Sequence, residues 1–228
     1  MAREKFEEEL KLINDESIRE FVGYVLDNAP KAYFIREASS TNKYHPPSSR
    51  GYEGLLRHVK RCVYVAEQLL RNNIYQKLMP HHDTIVAALI LHDCKKYGDN
   101  NSKWSLKNHA ELAAYWIADM QYDKLNEITR KEIAQLVLTH MGQWGKVVPS
   151  NSLEKFVHLC DYIASLKELE REVEDMPVKE MAIDAKAVVD DNSAIQLELP
   201  FEKEENSELE KSILASKTDD EFLRDVLS

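Results

Sequence analysis

The pair His92-Asp93 closes the apolar run Ile85-Val86-Ala87-Ala88-Leu89-Ile90-Leu91. A run of that kind is bound for a core, so it carries an ionisable doublet inward with it. Burying an aspartate among leucines and isoleucines costs several kcal/mol unless a cation or polar partners compensate. His58, His109, His140 and Asp161 add further imidazole and carboxylate groups along the chain. Those are the ligand types that hold divalent transition metals in hydrolytic sites. Adjacent helix residues lie about 100° apart, so His92 and Asp93 can both reach one ion. Taken singly, a histidine on an apolar helix face is more often a hydrogen-bonded core residue than a ligand. His81-His82, at the start of the same segment, read as surface or capping residues.

Helical periodicity dominates the rest. Six glycines and seven prolines in 228 residues favour long helices over many-stranded sheets. Phe6, Leu10 and Ile13 recur at helical spacing. Ile18, Phe21, Val22, Val25 and Leu26 follow a cap at Asp15 or Ser17 and stop before Pro30. Residues 38–52 read as a long loop held by Pro46-Pro47 and Gly51. Helical patterns then cover about 53–73, 83–96, 106–121, 128–141 and 151–175, joined by short polar connections. No useful strand alternation precedes residue 190, and no glycine-rich phosphate loop occurs, which argues against ATP-driven chemistry. With 43% apolar residues, the length suits one domain with appendages.

Five blocks surround the candidate ligands in order: KYHPPSSRGYEGLLRHV, LILHDCKK, NHAELAAYWI, THMGQWG and HLCDYIAS. Over residues 43–167, slightly more than half of the chain, this pattern resembles the HD-domain metal-dependent phosphohydrolases. The resemblance implies an all-α HD-domain helical bundle at residues 30–175. An N-terminal helical extension at 1–29 precedes it, and an acidic, partly disordered tail at 176–228 follows. It implies that His58, His92, Asp93 and Asp161 surround one divalent ion. Members with extra histidines hold two ions bridged by the doublet's Asp, and His109 and His140 stand where those histidines fall. Some of these members carry a His-His pair at the latter position; here the second place is Met141, which a hard or borderline metal does not use. One ion or two therefore stays open, as does the choice among Mn, Fe, Co, Ni and Zn.

The chemistry implied is hydrolysis of a phosphomonoester or phosphodiester by in-line attack of a metal-activated water, with Asp93 and Lys96 as catalytic residues. Lys96 matches the family's lysine three residues after the doublet, where it meets substrate phosphate. It reads equally as a helix C-terminal lysine complementing the dipole. His45, Arg50 and Arg57 flank the loop before His58 and are candidates to clamp phosphate oxygens, against a plain solvated basic loop. Trp104 and Trp144 offer faces for a base, although tryptophans near helix ends more often pack. Cys94 and Cys160, beside ligand positions, read as buried thiols rather than zinc ligands.

Charge is unevenly shared. Residues 168–228 hold 19 of the 40 acidic and 7 of the 30 basic residues, leaving 21 acidic and 23 basic in residues 1–167. A mildly basic core accepts an anionic substrate locally but lacks the strongly basic footprint of a dedicated nucleic-acid binder. Three cysteines in no spaced framework, a start with no apolar signal segment, and no run of about 20 apolar residues point to a cytoplasmic protein with no membrane span.

One further motif lies in the tail. Gln196, Leu197, Leu199 and Phe201, in QLELPF, resemble the hexapeptide by which bacterial polymerases and repair proteins bind the DNA sliding clamp. An extended segment of that kind places apolar anchors in a preformed pocket; its alternative is a staple packing the tail onto the helices. The functional expectation is a phosphohydrolase acting on a nucleic-acid end, in the manner of an exonuclease, or on a nucleotide. The loop before the GLLRH segment is similar to that of some HD exonucleases, whereas the mild charge of the core favours the small substrate. A non-catalytic, metal-containing adaptor is the alternative of a different class.

Overall fold

The computed structural model describes residues 2–41 and 45–167. The tail, with Gln196, Leu197, Leu199 and Phe201, lies outside the described residues. Among those described there are eight α-helices and no strand, so the expected all-α class is what the chain forms.

Short helices α1 (Glu7–Leu12), α2 (Glu16–Asn28) and α3 (Lys31–Ile35) come first. Of the two candidate caps, Asp15 is the one used: its carboxylate accepts from the amides of Ser17 at 2.8 Å and Ile18 at 3.1 Å. That satisfies two of the four amides left orphaned at a helix start. Pro30 ends the α2 pattern and stands at the N-cap of α3. Phe6, Ile13, Ile18, Phe21, Val22, Val25 and Leu26 are all buried in one core with the later helices.

Helix α4 (Gly54–Leu70) follows the loop, which is tightly pinned. A β-carbon on Gly54 would lie 2.2 Å from the Ser49 carbonyl oxygen, so only glycine lets the loop approach so closely. A 3-10 stretch at Asn73–His81, with Pro80 inside it, stands where a short polar connection was expected. Pro80 lacks an amide hydrogen and interrupts regular α bonding there.

Helix α5 (His82–Leu91) is buried on every side from Thr84 onward, as a helix apolar all round must be. It packs against α1, α2, α4, α7 (Glu127–Thr139) and α8 (Ser152–Ser165). It stops at Leu91 rather than near residue 96. Beyond it, amides of Cys94 and Lys96 bond three residues back, to Leu91 at 3.1 Å and Asp93 at 2.9 Å, and Gly98 takes a φ of +62°. The chain therefore leaves α5 in tight turns as soon as the apolar run is spent. Helix α6 (His109–Asp119) pairs with α7, and α8 ends at Ser165 with an extended cap at Leu166; residues 168–175 of the expected helix lie outside the described residues. No helix among the described residues is long and apolar enough to cross a membrane.

Candidate metal centre

Five segments deliver the six candidate ligands to one place. His58 comes from the middle of α4, His92-Asp93 from the turn after α5, and His109 is the first residue of α6. His140 caps the end of α7, and Asp161 sits in α8. All four histidines and Asp93 are buried.

Three of the imidazoles are hung in the same way. Nδ1 of His92, His109 and His140 lies 2.7 Å from the carbonyl three residues earlier, in Leu89, Leu106 and Val137 respectively. A carbonyl only accepts, so Nδ1 carries the hydrogen and donates it. For His92 and His140 the acceptor lies in the last turn of a helix, where carbonyls lack intrahelical partners. One bond thus satisfies the helix end and fixes the tautomer, leaving Nε2 with its lone pair turned inward.

The inward nitrogens meet the two oxygens of Asp93. Oδ1 lies 3.0 Å from Nε2 of His109 and 3.8 Å from that of His140. Oδ2 lies 3.4 Å from Nε2 of His92 and 4.0 Å from that of His58. Nε2 of His109 and Nε2 of His140 are 3.3 Å apart. Rings tethered through Nδ1 have, when neutral, no proton to share across that gap, and their lone pairs then face each other and a carboxylate. Only a positive species, an extra proton or a metal ion, relieves the arrangement. Nε2 of His92 is likewise buried without a hydrogen-bond partner.

His58 is held differently. Its Nε2 donates to Asp161 Oδ1 at 2.9 Å, while Nδ1 is buried without a partner. Ligation through Nε2 would move that proton to Nδ1. Asp161 Oδ1 is also 3.7 Å from Nε2 of His92, so His58, His92 and Asp161 form one group and His109 and His140 another, with Asp93 between them.

Electrostatics follow the burial. Burial alone would raise the Asp93 carboxyl, but the Lys96 and His92 charges hold it well below the usual carboxylate range. Asp161 is held low in the same sense, its burial outweighed by the His58 bond and the neighbouring imidazoles. Burial and the His92 charge push His140 down to about 3, and burial lowers His58. Burial also opposes the charged form of His92, yet the adjacent Asp93 raises it. Two anionic carboxylates among mostly neutral imidazoles are a donor set suited to a borderline divalent ion.

Other expected residues divide. Lys96 Nζ reaches Asp93 Oδ2 at 2.6 Å and is 12% exposed. Because α5 ends at Leu91, Lys96 does not serve that helix's dipole; it belongs to the cluster. The His45 ring stands edge-on to His58 with centroids 4.7 Å apart, and burial together with the His58 charge pushes it down to about 2. Arg57 donates to the backbone carbonyls of Ser48, Arg50 and Tyr52, so its guanidinium braces the loop. Arg50 is exposed and supplies one of those carbonyls. Neither tryptophan is packed away: Trp104 is 56% and Trp144 59% exposed. Trp144 stacks on Tyr162, with centroids 5.7 Å apart. His81 is exposed against Glu132, and His82 bonds Glu67 and Asp83. Cys94 and Cys160 are buried thiols, Cys94 pushed up to about 12 by that burial.

Two residues escaped the sequence reading. His158 is buried and its Nδ1 donates to the His140 carbonyl at 2.7 Å. Gly142, at φ +57°, makes room for it, since a β-carbon there would lie 2.3 Å from the His158 ring. Cys62 is the other, with Sγ 3.5 Å from Nε2 of His58. The available signals were helical spacings: His158 precedes Asp161 by three residues, and Cys62 follows His58 by four.

Residues 55–166 match the family model of the HD domain. This part of the chain is an HD domain. No curated protein and no solved structure matches the chain. HD domains are in general metal-dependent phosphohydrolases, and the one here brings His, Asp and Cys side chains into clusters that could hold a metal ion. A cleft of about 350 Å³ beside Asp15, His82 and Asp83 lies elsewhere. It sits at the start of α5, about 15 Å along the helix from the doublet at its end.

Proposed function

We propose that the HD domain hydrolyses a phosphoester of a nucleotide or a nucleic-acid end, using divalent ions held by His58, His92, Asp93, His109, His140 and Asp161. The observation that carries this reading is the placement of Asp93. Its two oxygens face two separate histidine groups, and the His109 and His140 lone pairs converge beside it with no proton to separate them. Asp93 with His109 and His140 would hold one ion, and Asp93 with His58, His92 and Asp161 another. When bound, such ions acidify water and withdraw charge from a phosphoryl oxygen.

The chain's own groups then have distinct tasks. Asp93 and Asp161 stay anionic and neutralise cationic charge. The carbonyl tethers keep each imidazole aimed without reorganisation. Lys96, at the more exposed side of the cluster, uses one of its three donors on Asp93 and has two left for phosphate oxygens. His45 lines the same centre beside His58 as a neutral ring. The exposed Trp144–Tyr162 stack, on the helix that supplies Asp161, offers a face to a nucleobase.

Residues 196–201 support recruitment to DNA through a sliding clamp, which favours a polymer end over a free nucleotide. The test is hydrolysis by metal-replete protein across a panel of nucleotides and labelled oligonucleotides. We expect turnover that chelation abolishes and that Asp93→Ala loses together with bound metal, while helical content stays intact. Metal-replete protein that turns over no phosphoester would leave the adaptor as the reading. A steep salt dependence of binding would mark the polymer, since each phosphate contact releases counterions.

A further inference from the structure

Cys62 lies one helical turn after His58 on α4 and is completely buried. Its sulfur is 3.5 Å from Nε2 of His58 and 3.9 Å from Oδ1 of Asp161. Donor atoms of His58, Cys62, His92 and Asp161 all lie within 4.8 Å of one another. Within that set the His92 Nε2 is buried and unpartnered, so the group has an unmet need that points to a ligand. Tetrahedral bonds of about 2.3 Å to sulfur and about 2.0–2.1 Å to nitrogen place S and N about 3.5 Å apart. The Cys62–His58 separation has that length.

We infer that Cys62 is a thiolate ligand to the ion held by His58, His92 and Asp161. The inference rests on the metal-centre reading above and adds to it a soft donor. On coordination the thiol loses its proton to solvent and an S–metal bond forms, with no change of oxidation state. A thiolate among imidazoles and a carboxylate selects zinc, iron or cobalt over manganese or magnesium. The two halves of the centre then differ in kind. The His58 half has a soft donor among four protein donors besides Asp93, and the His109–His140 half has only imidazole and carboxylate.

The test is X-ray absorption of zinc-loaded full-length protein, with Cys62→Ser and Cys62→Ala, and Cys94→Ala/Cys160→Ala as control. We expect a sulfur shell at about 2.3 Å in the wild type and the control, lost in both Cys62 variants. Cobalt-loaded protein should show a thiolate-to-cobalt charge-transfer band that the same two variants lose. Bound zinc with only nitrogen and oxygen neighbours in the wild type overturns the role of Cys62 and leaves the metal centre standing. A sulfur shell that persists in a Cys62 variant also overturns it. Failure of the wild type to bind zinc or cobalt overturns both. Should the variants fold poorly, the wild-type sulfur shell and the control decide the matter by themselves.

Discussion

At the scale of single residues, Asp93 concentrates the electrostatic problem of the molecule. It is an anion with almost no solvent contact, facing four imidazoles and one ammonium. With both halves of the centre filled, metal-replete protein should hold about two equivalents, the arrangement of dinuclear hydrolytic sites. His140→Ala should bring that down towards about one, because His109 alone cannot complete the second half. Elemental analysis after reconstitution with excess manganese or iron measures both, and one equivalent in each protein would reject the second ion. The convergence of His58, His92, Asp93, His109, His140 and Asp161 was legible because their order along the chain carries it. His158 and Cys62 were not, since their parts depend on which face of α8 and α4 meets a neighbour. The bracing part of Arg57 was hidden for a related reason: a sequence shows a basic loop, but not that the loop's own carbonyls accept from the guanidinium.

Among the elements, α5 ties two regions together. Its last residues lead to the doublet, while its first turn carries a small polar cluster in which His82 bonds both Glu67 and Asp83. Burial there opposes charge on the imidazole, yet the two carboxylates raise His82 above its ordinary value. A histidine raised in the folded state stabilises most below its unfolded pKa of about 6.5, and that stabilisation is lost as pH rises through the folded value. His82→Gln should therefore cost roughly 0.5–1 kcal/mol at about pH 5.5 and progressively less towards pH 8. Denaturant midpoints of the two proteins across that range give the difference directly, with other titrating groups cancelling. A difference constant with pH would dismiss the role. Helix positions came through well from periodicity, and boundaries less so. α5 was read past its end because Cys94 and Tyr97 prolong the apolar impression, whereas hydrogen bonding there has already tightened to turns.

Considered whole, the chain separates a nearly neutral HD domain from an acidic C-terminal quarter. That division suits a catalyst delivered by its tail. Fully burying Leu199 and Phe201 in a partner's pocket is worth about 1.5–3 kcal/mol each before ordering costs. A peptide of residues 190–207 should bind a bacterial sliding clamp at about micromolar affinity. The full-length Gln196→Ala/Leu199→Ala/Phe201→Ala protein should lose that binding and keep hydrolysis. Calorimetry with no heat for the wild-type peptide would remove the clamp and leave the HD domain's chemistry untouched.

The carbonyl tethers have a dynamic counterpart. His92 and His140 hang from the closing turns of α5 and α7, so ions that grip the two rings also grip two helix ends. Any opening of those turns must first break the tether and release the ring, and a filled centre raises the free energy of such opening by its share of the binding energy. Amide hydrogens in the final turns of both helices should exchange with deuterium more slowly in loaded than in chelated protein. Those at the far end of α5, near His82, should keep their rates. Deuterium uptake resolved by peptide would read the occupancy of the centre from backbone positions that never touch the ion.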